Sequence, residues 1–429
     1  MPRRASLPIL FLALCGVAVP AVAQLRGHGG PVRAVAVSPD GSRAITGSFD
    51  ATAILWSLSS ATAERVLRFH DSAVNAVAFI EDGRIATAGE DASIAVWRRG
   101  AAKPELVLKG HTAPIVALAV SPDRRTLASA SWDGTARLWS LADGTAVRVL
   151  EGHRQNVNGV AFTPDGRSLV TAGYDLTLRI WPLAGSAPPT VIPLPAPLNA
   201  VAVAAGGEIV AAGASGKVYV LSTAGVLQGG IDAAGAPVIA VAVSRDGRLV
   251  AASSVRGTVA IIDLARRALL HTLVGSGLPV WSAAFLPDNR TLLTGGSDNL
   301  VRRWDALTGE RIGEVVAGSP ADPLAAYRSD PGARVFRACV ACHTLKADEG
   351  PRAGPTLAGI FGRRIATQPG YDFSPALKKL DIVWTPETLS KLFEIGPATY
   401  TPGTKMPEQK VGADDRAALV RFLQKATRP

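Results

Sequence analysis

Cysteine and methionine are nearly absent from this chain, so the few copies it keeps are informative. Only three cysteines occur in 429 residues, at positions 15, 339 and 342. A structural zinc site needs four thiol or imidazole ligands at matched spacing, and Cys339 and Cys342 have no second pair. A disulfide-stapled scaffold is excluded for the same reason, although one bridge between these two remains open. There are two methionines, and the first is the initiator, so Met406 stands alone. Charged residues make up 19% of the chain against 48% apolar ones, a balance unlike that of a disordered polymer. The formal net charge of +10 is scattered, with no Lys/Arg block of the kind that tracks a nucleic-acid backbone. This mild basicity favours acidic protein partners or an anionic surface only weakly. Paired carboxylates and a glycine-rich phosphate loop are also missing.

Long apolar runs are missing as well, apart from one at the start. Met1-Pro2-Arg3-Arg4 is followed by an apolar stretch from Leu7 to Val19, then by Ala21-Val22-Ala23. A basic head, an apolar middle and an A-x-A site describe a secretory signal cut before Gln24. The stretch is broken by Pro20 and falls short of the roughly 20 residues of a spanning helix. The expectation is therefore a signal peptide over 1–23, an exported, periplasmic product and no integral membrane span. Cleavage would remove Cys15 and leave only Cys339 and Cys342.

Glycine and proline are plentiful, at 43 and 30, which suits short strands joined by tight turns. From Leu25 to about Val316 the chain repeats with a period of roughly 42 residues. Trp56, Trp97, Trp139, Trp181, Leu221, Ile262 and Trp304 occupy one position of the repeat. Ahead of each lies an alternating apolar run such as 32–37, a turn such as Ser38-Pro39-Asp40-Gly41 and a second short run. This is the pattern of antiparallel four-stranded units. Gly27-His28, Gly110-His111 and Gly152-His153 recur in phase, with Phe69-His70 in the second unit. Asp50, Asp91, Asp133, Asp175 and Asp298 each stand six residues before the aromatic.

On these features the region resembles the WD40-repeat family. The resemblance implies a seven-bladed β-propeller over 24–317, with a buried His–Asp–hydroxyl–Trp hydrogen-bond network in the blades that carry the motif. Units five and six have Ser215 and Arg256 at the Asp position and no Gly-His. They are expected to form blades with a weaker internal network. Unit seven carries an apparent outer strand of its own at 311–316, so the ring is expected to close without an exchanged N-terminal strand. The histidines recur with the repeat and read as structural. The propeller then reads as a rigid platform that a protein partner docks on.

Gly318-Ser319-Pro320-Ala321-Asp322-Pro323 breaks the repeat, and Asp330-Pro331-Gly332 ends the connection, marking a linker over 318–330. The remaining residues, 331–429, contain Cys339-Val340-Ala341-Cys342-His343. A C-x-x-C-H run is the signature of covalent c-type haem attachment, two thioethers and a proximal histidine. Around it stand Gly354-Pro355-Thr356-Leu357, Gly370-Tyr371-Asp372-Phe373-Ser374, Trp384 and Pro402-Gly403-Thr404-Lys405-Met406-Pro407. A terminal amphipathic helix spans 414–425.

This tail resembles class I cytochrome c of the mitochondrial type along nearly its whole length. The resemblance implies a small all-α domain holding one covalent haem c. Cys339 and Cys342 would form the thioethers, with His343 the proximal and Met406 the distal iron ligand. The Pro355 carbonyl would orient His343. Trp384 and Thr404 would contact a haem propionate, and Arg363 lies on the same side. Phe373 and Phe393 stand where the family often has tyrosines, which leaves those two hydrogen bonds unavailable. Lys346, Lys378, Lys379, Lys391 and Lys405 would ring the haem edge and steer an acidic redox partner. His/Met ligation leaves no open iron site, so the expected activity is one-electron transfer and not turnover of a substrate. The alternative is a cytochrome-fused oxidoreductase whose propeller or partner subunit carries a catalytic cofactor.

Overall fold

The structure, a computed structural model, describes residues 24–429 apart from 81–82, 234, 314–323, 341, 348, 350, 407–408 and 429. The signal-like segment 1–23 lies outside the described residues.

Seven four-stranded antiparallel sheets form the repeat region. Their innermost strands, from Val32–Val37 in the first blade to Val280–Phe285 in the seventh, adjoin one another around a ring, and the seventh returns to the first. Alternation explains the packing. One set of side chains from the inner strands is sealed against the neighbouring blade, as with Ile45 of blade one against Val74 of blade two, both at 0% exposure. Blades five and six fold despite their divergent motifs, because Val210, Ala212, Val218, Val250, Ala252 and Ile262 supply an entirely apolar filling.

In blades one to four the expected network is present. His28 Nδ1 donates to Asp50 at 2.9 Å, its Nε2 meets Thr46 Oγ1 at 2.7 Å, and the Trp56 indole donates to the same hydroxyl at 2.8 Å. His70–Asp91–Thr87–Trp97, His111–Asp133–Ser129–Trp139 and His153–Asp175–Thr171–Trp181 repeat it. A buried polar group left unpaired costs about 1–3 kcal/mol, so each member fixes the others. Burial alone would raise the Asp50 carboxyl, yet His28, the Thr52 hydroxyl and the Gly29 N–H hold it below its ordinary value. Blade seven keeps only the Trp304–Thr294 part, and Asp298 pairs with Arg302 instead.

Ring closure differs from the expectation. Gln24–Arg26 forms the outer strand of the last blade, pairing antiparallel with Leu300–Arg302. Arg311 and Ile312 flank only the far end of that neighbour, through the Trp304–Arg311 bridge and the Ile312 N–H to Arg303 carbonyl bond. The two segments divide one edge between them. The physical reason is Leu25, which is 2% exposed and packs with Val301, Leu293 and Trp56, so the N-terminal segment seals the seam between the last blade and the first. Residues 314–316 of the expected outer strand lie outside the described residues.

Every innermost strand also carries a β-bulge at its second residue: Arg33, Asn75, Val116, Asn158, Asn199, Ile239 and Trp281. A bulge re-aims its side chain. Six of the seven line a cavity of about 200 Å³ together with Trp132, Asn156 and Tyr174.

The second domain is helical: α1 (Pro331–Phe336), α2 (Pro375–Lys378), α3 (Pro386–Ile395), α4 (Pro397–Tyr400) and α5 (Ala413–Ala426). Proline opens the first four. The side chains of Asp330, Ser374 and Thr385 cap α1, α2 and α3, accepting the N–H groups that have no helical partner. The crossing of α1 and α5 depends on Gly332, where a Cβ would come within 2.1 Å of the Ala418 carbonyl. Beside it Phe336 and Phe422 pack with ring centroids 5.5 Å apart. Leu324 and Tyr327, within the stretch read as linker, already belong to this core. Leu324 is fully buried and Tyr327 meets Phe422 edge-on at 5.2 Å.

Candidate haem pocket

Beyond α1 the backbone continues to wind. Cys342 N–H bonds the Cys339 carbonyl at 3.1 Å, and His343 N–H bonds the same oxygen at 2.9 Å. Residues at i, i+3 and i+4 of such a turn share one face. That explains why this five-residue spacing aims two thiols and an imidazole at one volume. Cys339 and Cys342 are not bridged to each other. Burial pushes Cys339 up to about 11, and burial with the nearby Asp50 carboxylate pushes Cys342 up to about 12.

The segment after the motif returns alongside it, through Gly354 N–H to the Cys342 carbonyl and Leu357 N–H to the Thr344 carbonyl, both 2.9 Å. This places the Pro355 carbonyl 2.7 Å from His343 Nδ1. A carbonyl only accepts, so the proton sits on Nδ1 and the Nε2 lone pair is free. Burial lowers the His343 pKa and keeps the ring neutral. Gly354 is required here, since a Cβ would approach His343 Cε1 to 2.5 Å.

These groups open onto a cavity of about 350 Å³. Its walls are mainly apolar, with Phe336, Leu357, Ile360, Leu389, Phe393 and Leu419 among them, and Cys339, Cys342, His343 and Met406 also line it. A large apolar volume bordered by two thiols, a neutral imidazole with a free nitrogen and a thioether fits a haem and its axial donors. Among the described residues no group of three His, Cys, Asp or Glu side chains is arranged to hold a bare metal ion.

The loop bearing Met406 is fixed from below. Met406 N–H donates to Thr404 Oγ1 at 3.1 Å, and Ser374 Oγ donates to the Gly403 carbonyl at 2.9 Å. Gly403 has φ +84°, and a Cβ there would strike Ala376 at 2.4 Å. Thr404 thus supports the methionine loop while also lining the cavity. Trp384 lines the cavity too, held by its N–H to the Arg363 carbonyl at 2.9 Å. Arg363 is committed within its own loop, donating to the Ala358 and Thr356 carbonyls at 3.0 Å each and to the Gln368 side-chain oxygen. Phe373 and Phe393 both face the cavity. Of the lysines expected at the haem edge, Lys378 pairs with Asp372 at 3.2 Å. Lys405 turns to the propeller, bonding the His70 carbonyl and lying 3.7 Å from Asp71. It is therefore engaged within the chain and is not one of a ring open to an outside partner.

Sequence reasoning gave no role to three further residues. Tyr371 donates its hydroxyl to the Ala353 carbonyl at 2.8 Å, and Arg352 bonds the Val340 carbonyl within the attachment turn. Arg68 lines the same cavity from the propeller. No local pattern marks Arg68, because only tertiary structure brings blade two to this pocket.

Residues 329–427 match the family described as Cytochrome c. A cytochrome c of Cochliobolus lunatus is 41% identical over 99 residues, spanning 23% of this chain and 91% of the relative. One of Arabidopsis thaliana is also 41% identical over 99 residues, covering 88% of that protein. Cytochrome c type-1 of Ascaris suum is 39% identical over 107 residues, 92% of its length. The chain belongs to the cytochrome c family. Its cytochrome c domain carries a covalently bound haem c, and its chemistry is electron transfer. The propeller matches the family described as WD domain, G-beta repeat, at residues 20–57, 62–98, 102–140, 144–182 and 267–305. The unmatched interval holds blades five and six, where Ser215 and Arg256 replace the aspartate.

Proposed function

We propose that this chain is an exported c-type cytochrome, cut after its signal segment. It passes single electrons through a haem held between His343 and Met406, and its propeller serves as the docking platform. The observation that carries the reading is the 2.7 Å bond from His343 Nδ1–H to the Pro355 carbonyl, which reserves Nε2 for iron inside a cavity that Met406 also lines. Cys339 and Cys342 are the thioether donors. Thr404 holds the Met406 loop, and Trp384 and Thr404 would hold the haem carboxylates. When bound, the haem supplies a one-electron Fe(III)/Fe(II) couple, which a soft thioether ligand shifts toward the reduced form. The protein excludes water with Phe336, Leu389 and Leu419 and keeps the imidazole neutral and oriented. His343 and Met406 would both be spent on the iron, so the domain would carry electrons and leave substrate chemistry to a partner. Among the described residues no helix is long and apolar enough to cross a membrane.

The docking role rests on the bulge ring. Trp132 and Tyr174, each 43% exposed, stand with Arg33 and Trp281 around the cavity on the ring axis. Exposed aromatics and arginine grouped in this way are what protein interfaces enrich. Phe49, also 43% exposed, is tilted against Trp281 and is followed in the chain by Asp50 of the haem cavity. A redox partner seated on this rim would lie beside the haem domain.

Met406→Ala tests the ligand assignment. We expect one haem per chain by the pyridine haemochromogen spectrum, loss of the red-edge absorption of Met-ligated ferric haem, and a lower potential. An unchanged spectrum and potential would refute the assignment.

A further inference from the structure

The cytochrome c domain does not close its own haem cavity. Asp50, Thr52, Arg68, Phe69 and Asp71, all from blades one and two, complete the lining. Contacts run along both sides of this opening. Ala353 N–H bonds the Gly27 carbonyl at 3.3 Å, and Lys405 meets His70 and Asp71. Arg68 Nη2 donates to the Arg352 carbonyl at 2.6 Å and the Ala353 carbonyl at 3.0 Å, while its guanidinium lies 4.0 Å from the Tyr371 ring centre. Its Nε is buried and has no hydrogen-bond partner among the described residues.

The repeat itself records the fit. Directly after the histidine, blades two, three and four carry Asp71, Thr112 and Arg154, but blade one carries Gly29. A Cβ at Gly29 would stand 1.9 Å from Cys342 Sγ. Gly29 does not have the positive φ that favours glycine, so the backbone has no need of it. What the missing side chain provides is room for the haem-attachment cysteine.

We propose that blades one and two form the outer wall of the haem pocket, and that Arg68 is the propeller residue that pins this wall, its Nη2 on the Arg352 and Ala353 carbonyls and its charge beside the haem. This rests on the haem reading above. A half-buried cation and exclusion of water both disfavour the more positive ferric state. Arg68 and the exclusion of water therefore raise the potential, against the opposite pull of the Asp50 and Asp71 carboxylates on the same wall, and the face beside Cys342 is closed to outside partners.

The test is the reduction potential of the full-length, haem-loaded chain. Arg68→Ala removes the cation, and Arg68→Lys restores the charge without the planar fork. Gly29→Thr writes into blade one the residue blade three already carries, so the blade tolerates it while the seat is lost. Thr112→Gly, the reverse exchange in blade three, is the control. We expect Arg68→Ala to lower the potential by a tenfold shift in the one-electron equilibrium, about 59 mV. Arg68→Lys should lie between it and the parent, Gly29→Thr should shift the same way, and Thr112→Gly should leave it unchanged. If Arg68→Ala matches the parent, the Arg68 assignment is overturned; if Gly29→Thr matches the parent, the seat on blade one is overturned. Failure of the haem reading would appear separately, as a parent chain whose pyridine haemochromogen spectrum shows no covalent haem.

Discussion

Replacing Cys339 and Cys342 together by alanine, and purifying the chain free of haem, should unfold the C-terminal domain and spare the propeller. The magnitude follows from the pocket. An unfilled cavity costs about 24 cal/mol per Å³, and the pocket encloses about 350 Å³, which gives about 8 kcal/mol by that coefficient. A domain spanning residues 331–429 has a net stability of only about 5–15 kcal/mol by the usual scaling. The loss therefore takes most of what is available, and the core has no means of shrinking. Gly332 and Gly354 already sit at closest approach, with a Cβ meeting neighbours at 2.1 and 2.5 Å. Hydrogen exchange read by peptide would show α1, α3 and α5 losing protection by several orders of magnitude while 32–305 keeps it. Full protection of the helices in haem-free protein would refute the claim that haem is the centre of this domain's core.

Thr46→Val should destabilise the propeller by about 2–6 kcal/mol in urea unfolding, because it strands two buried groups, Trp56 Nε1 and His28 Nε2, at about 1–3 kcal/mol each. Replacing His28, Thr46, Asp50 and Trp56 by Leu, Ala, Ser and Leu copies the blade-five set Leu194, Ala211, Ser215 and Leu221 and should recover much of that loss; a quadruple variant no better than Thr46→Val would refute it. Acid should weaken blade four in two stages. His153 is held neutral by burial, so its share is lost as pH falls below the ordinary 6.5. Asp175 is lowered from 3.8 to about 2: burial opposes the shift, but the Arg154 N–H, Thr177 and His153 outweigh it. Its stabilisation is present above about 4 and lost toward pH 2, and Asp175→Asn should flatten the lower part of the stability–pH curve; an unaltered slope would count against the pairing. Gly332→Val should push α5 from α1 and lower the melting temperature of the haem-loaded chain, since a side chain there meets the Ala418 backbone and Phe422. An unchanged melting temperature would show that the crossing is looser than drawn.

Sequence alone determined a great deal here, wherever the chemistry is local. Cys339, Cys342 and His343 are tied by helical spacing, and Pro355 follows closely enough for one turn of chain to bring its carbonyl to the imidazole. The blades are local too, because each is a run of consecutive hairpins whose apolar alternation and Asp-to-Trp spacing are readable within a single repeat. Even blades five and six could be anticipated, since strand pattern survives loss of the polar motif. The tertiary structure decided everything that joins distant parts of the chain. Leu25 closes the ring because its side chain is buried only when the last blade is present, a fact no three-residue segment displays. The bulges that turn Arg33, Asn158 and Trp281 toward the axis arise from pairing register, which residue type does not specify. Gly29 and Arg68 acquire meaning only from Cys342 and Tyr371, some 300 residues away in sequence: one is a gap and the other a clamp, and each is explained only by what packs against it.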